Sequence, residues 1–149
     1  MESEWPDPLS AMGDVDQVRA QMSKRVASPW WFHVGLGLLV AQQTFVSGMV
    51  VGIWTAVSFM VLIAGAAVLV ALARRSTGIT VALPRGPRSR GVMTARFVAA
   101  LVCIWGAALV GNSTLVVVLS VVAFVVTVVL GLVYDHALGD DVASASRRP

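Results

Sequence analysis

Few side chains in this sequence are of types that do chemistry, and most of those lie inside long uncharged runs. His33, Gln42, Gln43, Thr55, Ser58, Ser120 and Thr127 are among the polar residues within them, and Asn112 stands in a Gly-Asn-Ser-Thr stretch. An ionisable group in an apolar run usually marks an ion or proton pathway. His33 comes nearest to that description. It directly follows Trp30-Trp31-Phe32, however, so its position predicts an interfacial histidine rather than a relay. Gln42 and Gln43 are adjacent and point about 100° apart on a helix, so they do not both face lipid. Hydrogen bonding between helices, to Thr55, Ser58 or Asn112, is the expected use of the pair. A polar pocket made by Gln42, Gln43 and Asn112 is the alternative.

Other reactive constellations are missing. The sequence has no C-x-x-C, H-E-x-x-H, G-x-S-x-G or P-loop pattern, so no catalytic residue and no cofactor site is expected. His33 and His136 lack a third ligand for a metal. Cys103 is the single cysteine and reads as a buried thiol. Arg74, Arg75, Arg85, Arg88, Arg90 and Arg96 follow one another with no acid between them. Without interleaved aromatics or a recognition motif they do not suggest nucleic acid. The first five are candidate contacts for anionic lipid headgroups, at about 1 kcal/mol each near such a surface. Small residues recur four apart: Gly48 with Gly52, Gly37 with Ala41, and Ala107 with Gly111. Such pairs let helix backbones approach closely. The expected use is packing within the chain, with dimerisation as the other reading.

The elements that carry these residues follow from charge. Of 149 residues 57% are hydrophobic and 13% charged, against roughly 25% charged in soluble domains. No Asp, Glu, Lys or Arg occurs from Val26 to Ala73 or from Phe97 to Tyr134. At about 1.5 Å per residue, Trp30 to Leu72 within the first stretch and the whole of the second measure roughly 65 and 57 Å, two crossings each of a hydrocarbon core about 30 Å thick. Four transmembrane helices are predicted near 30–46, 49–72, 95–110 and 115–136, paired as two hairpins joined by a basic loop over 73–94. The Val-rich last segment would suggest a strand in water, but an open strand in lipid leaves its backbone unpaired. Lys/Arg-rich short loops stay cytoplasmic, so the N-terminus, the basic loop and the C-terminus are all expected on that side. Trp30 and Trp31 are placed as interfacial aromatics. Residues 1–28 form a cytoplasmic arm, in which Met12, Val15, Val18, Met22 and Val26 suggest a helix lying on the membrane surface. Residues 138–149 are expected to be a disordered tail.

Ser28-Pro29-Trp30-Trp31-Phe32, then Arg74-Arg75-Ser76-Thr77-Gly78 after the first hairpin, then the arginine-rich loop and a second hairpin, resemble uncharacterised small four-helix integral membrane proteins of actinobacteria. The preference for Arg over Lys agrees with a high-GC genome. The resemblance implies a multi-pass protein of the bacterial inner membrane and carries over no activity or binding residues. Together these features suggest a non-enzymatic accessory subunit, with membrane lipids, a second copy or another membrane protein as partners. An oligomeric channel or transporter is the alternative, and an integral-membrane enzyme fits least well.

Overall fold

The computed structural model describes residues 28–50, 52–77 and 86–145, and their regular structure is entirely helical. The helices are α1 (Trp30–Met49), α2 (Ile53–Thr77), α3 (Pro87–Leu109) and α4 (Ser113–Ala145). Three of them, α2, α3 and α4, are long and apolar enough to cross a membrane. The predicted surface helix of the N-terminal arm and Arg85 lie outside the described residues.

Each helix begins and ends for a local reason. Pro29 precedes α1 with φ −58°, and its carbonyl accepts from the Phe32 amide at 2.9 Å. Gly52 turns the chain between α1 and α2 at φ +94°, where a side chain would be strained. The Asn112 side-chain oxygen accepts from the Thr114 and Leu115 amides at 2.9 and 3.3 Å, capping α4. Pro87 occupies the first turn of α3, where its missing N–H costs nothing.

Gly35 lies against Leu69 and Gly65 against Leu39, so α2 runs antiparallel to α1. Gly37 against Phe124 and Val128, and Gly48 against Val116, give α4 the same sense relative to α1. α1 is the central helix, touching all three others, whereas α2 rests mainly on α1. Val40, Cys103 and Ala123, from α1, α3 and α4, form a small apolar core with Leu62 and Ala100 against it. Large apolar side chains elsewhere face outward, including Ile53, Trp54, Trp105 and Leu109.

Several boundaries differ from expectation. Ser47 and Gly48, which fall between the first two predicted spans, are inside α1, which ends only at Met49. α2 runs on through Arg74 and Arg75, and α3 begins at Pro87, so Arg74, Arg75, Arg88 and Arg90 are helical rather than in a loop. The expected tail is helical to Ala145, with Leu138 only 2% exposed. Asp141 explains the last change. Its carboxylate accepts from the Ser89 amide at 3.0 Å and fills the space that a Cβ on Gly86 would need. An acid on α4 thus supplies an N-terminal cap to α3, where free amides and the helix dipole favour negative charge.

Candidate functional site: a buried polar cluster on three helices

His33 directly follows the Trp30–Phe32 group and is nevertheless 1% exposed. The antiparallel register of α1 and α4 brings it level with Asp135, 102 positions away in sequence. Its Nε2 lies 2.8 Å from Asp135 Oδ2, and the Asp135 side chain is 9% exposed. Phe32 meets the imidazole edge-on, with ring centroids 5.7 Å apart. On the other side Nδ1 occupies the space that a Cβ on Gly131 would take, so glycine is required there for the ring to fit. Arg96 of α3 is half-buried and feels the Asp135 charge.

Three atoms of this cluster are buried without a hydrogen-bond partner among the described residues: His33 Nδ1, Asp135 Oδ1 and Arg96 Nη2. Unpaired buried polar groups cost free energy, and in a neutral imidazole one nitrogen donates while the other accepts. With its proton on Nε2 it donates to Asp135 and leaves a bare acceptor against Gly131. Arg96 and Asp135 then balance in charge. His33 is thus buried between α1 and α4, at the Trp30 end of α1. The sequence held one usable signal: His33 and Asp135 both lie at the charged ends of their spans.

A second polar group lies farther along α1. Gln43 and Thr44 are fully buried. Ser58 of α2 donates to Gln43 Oε1, Gln43 Nε2 donates to Ser47 at 3.1 Å, and Gln42 Nε2 donates to Ser58 at 3.1 Å. Thr44 donates to the Val40 carbonyl at 2.9 Å. Gln42 and Gln43 are thus joined through Ser58. Thr55 donates to the Val50 carbonyl instead, and Asn112 is exposed with its oxygen spent on the α4 cap. Asn112 therefore has no part in a pocket with the glutamines. Gln42 Oε1 has no partner among the described residues, and Gln42 lines an open groove of about 450 Å³ with Val46, Val50, Trp54, Val57 and Ser58.

The small residues divide. Gly48 sits where a Cβ would be 2.8 Å from the Ala107 carbonyl oxygen and would press on Val116, and Ala107 is fully buried. These two residues make the close approach of α1 to α3 and α4. Gly52 and Gly111 lie exposed at the turns, and a Cβ added to either would meet no atom within 4 Å. Neither packs against another helix among the described residues. Arg74, Arg75, Arg88 and Arg90 are at the end of the bundle that carries the charge cluster, and all four are exposed. Trp30 is exposed at that end and Trp31 is half-buried. Among the described residues no group of three His, Cys, Asp or Glu side chains could hold a metal. No protein-family model, curated protein or solved structure matches the chain.

Proposed function

We propose that the chain is a multi-pass protein of the bacterial cytoplasmic membrane, crossing it four times, and that it works as a non-enzymatic accessory subunit through contacts between helices. The observation that carries the interaction reading is the position of α2. It is held mainly by α1, and Ala64, Ala67 and Ala71 lie exposed along it at helical spacing among larger apolar residues. Small residues on such a face permit close approach by another transmembrane helix.

Tryptophan placement supports the crossing. Trp54, at the start of α2, stands level with the end of α1, opposite Trp30 at its beginning. The separation is about twenty helical residues, or roughly 30 Å, which matches the hydrocarbon thickness. Trp105 near the end of α3 joins Trp54 at that end, and Trp30, Trp54 and Trp105 are all exposed. Two aromatic girdles are what a spanning bundle carries. α1 is less apolar than a lone crossing helix because its polar side chains face its neighbours. In this arrangement the termini and the arginines face the cytoplasm. Arg74, Arg75, Arg88 and Arg90 then lie at headgroup level for anionic lipid.

Extraction in a mild detergent should recover the chain with a second membrane protein at fixed stoichiometry. Ala64→Leu with Ala71→Leu keeps the helix apolar and should release that partner. Repeated isolation of a lone, monodisperse chain would overturn the reading. The transporter alternative has one observation in its favour, the unpaired Gln42 oxygen at the groove. It requires that Gln42→Leu with Gln43→Leu abolish flux in liposomes while the fold persists. Unchanged flux excludes it.

A further inference from the structure

We propose that His33, Asp135 and Arg96 form a proton-binding site that controls the contact between α1 and α4. The ligand is a single proton taken from the aqueous phase at the arginine-bearing end. The geometry states what that proton does. In the neutral imidazole one nitrogen donates and the other accepts, whereas in the imidazolium both donate. Nε2 already has Asp135 as its acceptor at 2.8 Å. Nδ1 is buried against Gly131 and has no acceptor among the described residues. Protonation therefore creates a buried, unpartnered N–H, which is costly in a low-dielectric interior.

The surrounding charges act in the same direction. Arg96 on α3 lies within reach of the Asp135 charge, so the added proton brings a second positive charge to the cluster. Tyr134 adjoins Asp135 on α4. His136 faces away, with Nδ1 on the Leu132 carbonyl at 2.8 Å, and is exposed. On α2, Arg74 and Arg75 are exposed at the same end and add further positive potential. Phe32 and Gly131 offer no group to accept the new proton. The imidazolium gains an acceptor when α1 and α4 separate at this end and water reaches Nδ1. Acidification thus favours an opened end and neutral pH a closed one.

The test uses the full chain in nanodiscs of zwitterionic lipid. Nitrogen NMR of labelled histidine reports the imidazole, and spin labels at Leu38 and Leu132, exposed on α1 and α4, report the separation in a Cys103→Ser background. As the pH is lowered stepwise from about 8, above which histidine is neutral, any gain of a second proton by His33 should coincide with opening. The label separation should lengthen over the same range. His33→Gln, which keeps a donor for Asp135 and takes up no proton, should lose the change. His136→Gln should retain it. A His33 that stays singly protonated throughout, a separation that ignores its protonation, or a change that survives in His33→Gln would each overturn the proposal. The unsubstituted residue 33 decides the first two outcomes even where the variant fails to fold.

Discussion

At the scale of single residues the chain keeps its polar groups for the interior and hydrogen-bonds most of them there. Gln43 accepts from Ser58 and donates to Ser47, so its removal leaves two hydroxyls to find other partners. Gln43→Leu should cost about 0.6–2 kcal/mol, measured by reversible unfolding in detergent micelles. A stability change near zero would mean that the contact contributes nothing. The imidazole–carboxylate contact calls for a double-substitution cycle. His33→Leu leaves Asp135 with its donor gone and should cost about 1–3 kcal/mol. Adding Asp135→Leu to it should cost less than the two single changes summed, because each removes the other's burden. Additive costs would show that the groups do not interact. The glutamine contact was legible in sequence, since adjacent polar residues in an apolar run have few places to go. The histidine contact was not. His33 beside three aromatics suits an interface, and its partner is found only when the register of α1 against α4 is known.

At the scale of elements, the four helices were legible because the uncharged runs have the length of two crossings each. Their ends were harder to read. Ser47-Gly48 looks like a turn, yet Gly48 is in α1 because Val116 and Ala107 leave no room for a side chain. Gly48→Ala should therefore force α1 away from its neighbours and destabilise by about 1–3 kcal/mol. Gly52→Ala should cost about 1–2 kcal/mol for a different reason, the left-handed backbone at φ +94°. Gly111→Ala, with open space around it, should cost far less than Gly48→Ala, and the three thermal shifts measured together separate packing from turn effects. The helical extension past Ala137 is not legible in the sequence because Leu138-Gly139-Asp140-Asp141 is polar and glycine-containing. Its order comes from a tertiary contact, the Asp141 carboxylate on the Ser89 amide. Asp141→Ala should cost about 0.5–2 kcal/mol and speed hydrogen exchange in the first turn of α3. Unchanged exchange there would deny the cap.

At the scale of the whole molecule, large apolar side chains cover much of the exposed surface, and polar side chains share the interior with apolar ones. The helix with the most polar interior residues, α1, is also the one enclosed by the other three. This enclosure explains why α1 stands outside the group of helices long and apolar enough to cross by themselves. Whether it crosses decides the topology, and with it the side on which the His33 cluster and the arginines lie. Single cysteines at Ser28, Ser76 and Ser113, in a Cys103→Ser background, measure this directly with an impermeant thiol reagent applied to intact cells. Four crossings predict labelling at position 113 from outside, with positions 28 and 76 labelled only after the membrane is opened. Labelling of position 28 from outside, with position 76 still protected, would contradict the account.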